Sequence, residues 1–214
     1  MQSARLHYFY DPFCGWCYAA APMVSSAQSV PGLALQAHGV GMLSGDEARW
    51  MSSDWRDFVR PHELRVTALT GQTFGDAYVN GVQMRTDVRL DSSVPIAAMI
   101  AAEDLSSRGI DMIKQLQARY YQQGHPISTS AEIFAAAGAM GLDADCFAKA
   151  FAGVSDQDVS DHVGYSKAKL ETLKANGFPV FALERGGQWE VLHLGRFLGR
   201  PEKFRTALEA MLFD

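Results

Sequence analysis

Two cysteines with two residues between them, Cys14-Gly15-Trp16-Cys17, stand between an apolar run, Leu6 to Tyr10, and a helix-compatible run, Tyr18 to Ser29. That order constrains the fold more than any other feature of the chain. Residues three apart on a helix rise ~4.5 Å and lie on nearly one face, a separation compatible with a disulfide. The pair can therefore open and close with little backbone movement. If Cys14 opens the helix, free backbone N–H groups and the positive end of the macrodipole face its sulfur. Both favour the thiolate, the form that attacks disulfides. Cys17, one turn further in, is more shielded and is expected to act as the resolving thiol. Two incidental cysteines, or half of a zinc site, are the plain alternatives. The strand-then-helix context favours the redox reading over both.

With 214 residues, the chain has room for one large domain or for a domain with a sizeable insertion. Net charge is −5 and no lysine- or arginine-rich block appears, so nucleic acid is not an expected partner. The longest apolar runs are far short of a membrane span, so no membrane partner is expected either. Met1 to Arg5 leads directly into the first strand without a leader-like apolar region, and a cytoplasmic location is expected. Three cysteines fit a reducing compartment, since a secreted disulfide scaffold would carry more, usually an even number.

Residues 5–10 read as an aromatic-rich strand, and residues 33–40 as a second strand after the Pro31-Gly32 turn. Pro22 interrupts the intervening helix, where it removes a backbone hydrogen bond and predicts a kink. This is a β-α-β unit whose strands are expected to be parallel. The character changes at Gly41. From Ser44 to Val154 the pattern is helical, with no strand expected and with a break or kink at Pro61. Helices are predicted over 94–108, 111–123, 130–140 and 144–152. A further helix over 158–175 ends at Asn176-Gly177. Strands over 180–184 and 188–194 flank the Gly186-Gly187 turn, and a last helix spans 201–212. The order is thus β-α-β, helical insertion, α-β-β-α. The predicted division is a discontinuous domain of residues 1–43 and 155–214 around an insertion domain of residues 44–154.

This layout resembles the DsbA-like branch of the thioredoxin superfamily, an α/β thioredoxin fold with a large all-helical insertion. Cys14-Gly15-Trp16-Cys17, the two halves in order, Gly177-Phe178-Pro179 before the late hairpin, Pro22 and Gly195 carry the resemblance. The phrase from Asp11 to Tyr18 is similar to the cytoplasmic group classed as protein-disulfide isomerases, near the FrnE-like branch. The resemblance implies that Pro179 is cis and lies against the cysteine pair, that the backbone of Phe178 pairs with an extended substrate, and that this arrangement keeps metal off the thiols. It implies a thiol–disulfide oxidoreductase or disulfide isomerase with Cys14 and Cys17 catalytic and Trp16, Phe178 and Pro179 at the substrate. Its partners would be protein or small-molecule disulfides and thiols, glutathione among the candidates, with no cofactor.

The sequence also departs from DsbA. The dipeptide between the cysteines lacks histidine, and Tyr8 stands where relatives carry a buried acid. Asp11 is nearer in sequence, but its carboxylate has no predictable place. With no cation beside Cys14, the expected potential lies toward the thioredoxin end of the range from roughly −270 to −120 mV.

Cys146, in the insertion, reads as a buried, inert cysteine. Zinc needs four ligands, and no second pair with ligand spacing accompanies Cys14 and Cys17, so no metal site is expected. None of the six histidines adjoins a serine or cysteine, and His7, His38 and His193 fall on predicted strands as packed or partly exposed residues. Trp16, Phe13 and Phe178 are candidates for an apolar rim around the thiol. Two other readings stay open. One is a glutathione-dependent transferase or isomerase of the kappa-like branch, against which the second cysteine counts. The other is a non-catalytic peptide-binding holdase.

Overall fold

A computed structural model describes residues 4–213. Its main sheet has the order β2-β1-β5-β6, formed by β1 (Ala4–Tyr10), β2 (Leu33–Gly39), β5 (Val180–Arg185) and β6 (Gln188–Leu192). β1 and β2 are parallel, joined through α1 (Gly15–Gln28), while β5 and β6 run antiparallel as a hairpin beside β1. β1 is therefore central, and its alternation divides the core. Leu6, Tyr8 and Tyr10 face α1 and α8 (Pro201–Phe213), where they pack with Met23, Phe181 and Phe204. Phe9 belongs to a separate cluster on the other face with Leu170 of α7 (Asp156–Thr172) and Val180. Each fully buried aromatic or leucine here contributes about 1.5–3 kcal/mol of transfer free energy.

Between the two halves lie α2 (Ser53–Thr70), α3 (Ser93–Ser106), α4 (Gly109–Tyr121), α5 (Ser130–Ala139) and α6 (Ala144–Gly153). They share a hydrophobic core built on Tyr78, Leu116, Tyr120, Ile133 and Phe147. α3 comes so close to β2 that a Cβ at Gly39 would stand 2.7 Å from Ile96 Cγ1, which requires glycine there. The thioredoxin-type sheet with a helical insertion is thus the observed architecture.

Several local expectations differ from the structure. The insertion does contain strand: β3 (Arg49–Trp50) pairs antiparallel with β4 (Arg89–Leu90). Two residues per strand are too few to show alternation in sequence. α2 runs unbroken through Pro61, although proline withholds one hydrogen bond there. β6 stops at Leu192, and Gly195 lies in a 3₁₀ turn, Leu194–Arg196, after the strand. α7 begins two residues earlier than expected, because Ser155 and Asp158 form a capping box.

Cys146 is exposed, not buried. Its neighbour Phe147 carries the buried face of α6, and one residue on a helix is a rotation of about 100°. His7 and His38 are buried, their ring nitrogens 2.8 Å apart, and His7 Nε2 lies 3.1 Å from Glu184 Oε2. Among the described residues, no helix is long and apolar enough to cross a membrane.

Candidate functional site

The dithiol sits where β1 hands over to α1. Cys14 is the N-cap of α1, with extended backbone, and its sulfur accepts from the Cys17 backbone N–H at 3.3 Å. The turn that delivers it is closed by the Cys14 N–H donating to the Asp11 carbonyl at 3.2 Å. Cys14 is 8% exposed and Cys17 is 0% exposed, so only the first thiol can meet a ligand. Both are free thiols. Behind them, the Asp11 N–H donates to Cys17 Sγ at 3.5 Å, and the Tyr8 hydroxyl donates to the Cys17 carbonyl at 3.0 Å. Burial pushes the Cys17 thiol well above the usual thiol range. Its hydrogen bond to Cys14 and the negative charge of a Cys14 thiolate push it further.

Asp11 has a definite place. Its carboxylate is fully buried and accepts from the Phe13 N–H at 2.9 Å, the Met42 N–H at 2.6 Å and the Ser92 hydroxyl at 3.1 Å. One side chain thus ties the cysteine loop to the end of β2 and to the start of α3. Burial raises its pKa to about 6, against the pull of those three hydrogen bonds.

The residues flanking the pair reach into the insertion. Phe13 packs edge-on to Tyr120 with ring centroids 5.0 Å apart, and Tyr18 stacks on Tyr121 at 4.8 Å. The Tyr18 hydroxyl donates to the Thr73 carbonyl at 2.8 Å and accepts from Gln122 Nε2 at 2.9 Å. The cysteine loop is held by both cores.

From the far half of the chain come Phe178 and Pro179, joined by a cis peptide bond, with Gly177 before them at φ +79°. The Cys14 thiol donates to the Phe178 carbonyl at 4.0 Å, so residues 164 apart in sequence meet at one sulfur. Pro179 is buried, while Trp16 and Phe178 are half-buried. A cavity of about 240 Å³ opens over Cys14, with Phe13, Trp16 and Phe178 in its wall. The opposite wall comes from the insertion: Trp55, Phe58 and Glu63 of α2, with Tyr78, Tyr120 and Tyr121. None of these insertion residues was picked out as a site residue from the sequence. The one available signal was an acid on α2 three residues after Arg60. Two other recesses, of about 310 and 260 Å³, lie along β5–β6 and between α5 and α6, and no cysteine lines either. Among the described residues, no group of three or more His, Cys, Asp or Glu side chains could hold a metal ion.

A thioredoxin-type sheet with a buried dithiol at a helix N-terminus defines a thiol–disulfide oxidoreductase. The chain belongs to the family described as the DSBA-like thioredoxin domain, whose model matches residues 5–208. Among solved structures it is similar to the cytosolic disulfide reductase DsbM from Pseudomonas aeruginosa. That similarity is 39% identity and a TM-score of 0.91 over 97% of this chain and 98% of that one. A second structure of DsbM, with GSH, gives 37% identity and a TM-score of 0.89 over 97% and 98% of the two chains. A structure from Nitrosomonas europaea, described provisionally as a protein disulfide isomerase, is 16% identical with a TM-score of 0.77 over 99% and 98%, a likeness of fold alone. No curated protein matches the chain.

Proposed function

We propose that this protein is a cytosolic disulfide reductase that works through a mixed disulfide at Cys14 and uses glutathione among its small thiol partners. The Cys14 thiolate attacks a substrate sulfur, forming Cys14–S–S–R and releasing the first thiol. Cys17 then attacks Cys14, releasing the second thiol and closing the Cys14–Cys17 disulfide. The observation that carries this order is the asymmetry of the pair. Cys14 takes the Cys17 N–H at the helix end and faces the cavity, while Cys17 has no exposed surface.

The direction of electron flow rests on similarity to DsbM, described as a cytosolic disulfide reductase, and the glutathione partner on the DsbM structure that holds GSH. The Phe178 backbone and Pro179, beside Cys14, serve as the substrate rest, with Trp16 in the same cavity wall as Phe178. Residues 44–154 act as an insertion domain between segments 1–43 and 155–214, a division supported by the inserted helices' own cluster around Leu116, Tyr120, Ile133 and Phe147, while Phe13 and Tyr18 on one side and Ile96 and Ile113 on the other pack across the boundary. A transferase of the kappa-like type needs no resolving thiol, and the buried Cys17 favours the reductase over it.

The test is reduction of glutathione disulfide and of insulin by the reduced protein. Wild type should reduce one or both, Cys14→Ser neither, and Cys17→Ala should accumulate a mixed disulfide. A Cys14→Ser variant with wild-type activity would exclude the mechanism. A glutathione-buffer titration should place the potential toward the thioredoxin end of the range from roughly −270 to −120 mV.

A further inference from the structure

The cavity over Cys14 combines two properties that the exchange reaction itself does not require. Its wall is dominated by aromatic rings, Trp16, Trp55, Phe58, Tyr78, Tyr120 and Tyr121 among them, and its titratable side chains include the Glu63 carboxylate and the His62 imidazole, the latter 3.5 Å from Trp16 Nε1, but no lysine or arginine. Glu63 is 2% exposed. Its Oε1 accepts from the Tyr78 hydroxyl at 2.6 Å and from Gln83 Nε2 at 2.8 Å, while Oε2 has only Arg60 at 3.4 Å. The Arg60 side chain is 39% exposed and does not line the cavity. Arg49 and Arg65 already lie over Trp55 and Trp16, 4.8 and 5.9 Å from the ring centroids, which leaves Phe58, the tyrosines and Glu63 as the faces that favour a cationic ligand.

We propose that this cavity binds the ammonium-bearing half of a small aliphatic disulfide, its amine between Glu63 and the aromatic rings, while Cys14 attacks the adjacent sulfur. The inference rests on the reductase reading and names the substrate class of the same site. Size supports a small molecule, because about 240 Å³ is below the ~300–1,000 Å³ typical of drug-sized ligands and suits a fragment of a few heavy atoms. The chemistry balances without an added reagent in one turnover. The dithiol supplies two electrons, the substrate S–S bond breaks, two aminothiols leave with two protons, and the Cys14–Cys17 bond forms. Further turnovers need a small thiol as reductant.

The test is single-turnover oxidation of the reduced full chain by cystamine (cationic), bis(2-hydroxyethyl) disulfide (neutral) and dithiodiglycolate (anionic). Each rate is divided by that disulfide's rate with dithiothreitol, to remove its intrinsic reactivity. Cystamine should exceed the neutral disulfide about tenfold, with the anion slowest. Glu63→Gln should bring the cation-to-neutral ratio toward one. Arg60→Gln, which removes the competing guanidinium without touching the cavity wall, should raise it and keeps the test decisive if the Glu63 variant does not fold. Equal normalised rates, a preference for the anion, or a ratio that neither variant moves would overturn the proposal. Failure of all three disulfides to react would sink the reductase reading itself and the inference with it.

Discussion

Two helices in this protein carry a cysteine at their N-terminal end, and they differ in what occupies the cap. At α1 the cap is Cys14, and the Cys17 backbone N–H is spent on its sulfur. At α6 the cap is Asp143, whose carboxylate takes the backbone N–H of Cys146 at 2.8 Å. The hydrogen bond from Cys146 and the charge of Asp143 hold the Cys146 thiol above its ordinary range. Cys146 is exposed and Cys14 nearly buried, so access alone would rank them the other way round. The first backbone N–H groups of the two helices thus meet different acceptors, sulfur at α1 and a carboxylate at α6. An acidic cap consumes the donors and repels the thiolate.

This contrast can be attacked directly. The largest effect is expected at the dithiol: Cys14→Ser should reduce insulin or glutathione-disulfide turnover to the uncatalysed background, whereas Cys146→Ser should leave it within about twofold and change stability by no more than about 0.5 kcal/mol. Loss of turnover in the Cys146 variant would mean that the insertion carries a second redox centre.

Next in size is the pH dependence of resolution. Because burial keeps the Cys17 thiol protonated, its attack on the Cys14 mixed disulfide should accelerate about tenfold per pH unit. The rise should continue beyond the pH at which a free thiol levels off. Stopped-flow measurement from a preformed glutathione adduct would show it, and a plateau near pH 8 would contradict the burial argument.

The smallest effect is expected at α6. Asp143→Asn keeps a capping oxygen but removes the charge, so iodoacetamide should modify Cys146 about threefold faster at neutral pH. No change would show that the cap geometry, and not its charge, governs that thiol.

How much of this was legible in the sequence depends on distance along the chain. The β-α-β unit, the late hairpin and the dithiol at a helix start are local patterns, and Pro22 and Gly186-Gly187 punctuate them. Phe178 and Pro179 could be brought to the pair only through resemblance to a fold, since no spacing rule connects Cys14 to a residue 164 positions away. The role of Asp11 as a tie was invisible because its partners, Met42 and Ser92, lie 31 and 81 residues on. Glu63 offered only its spacing from Arg60, because α2 is largely exposed and an acid on such a helix reads as surface. Cys146 was misread because an alanine- and phenylalanine-rich helix looks buried all round until packing selects Phe147 for the inner face.

The most direct test of the central claim is a competition between two thiols of one molecule. Reduced wild-type protein is treated with substoichiometric iodoacetamide at pH 7, and the peptides containing Cys14 and Cys146 are quantified by mass spectrometry. If the unblocked helix end activates Cys14, it should be modified at least about tenfold faster than Cys146 despite its lower exposure. Equal labelling, or preferential labelling of Cys146, would show that exposure governs both thiols and that the cap of α1 does not activate Cys14.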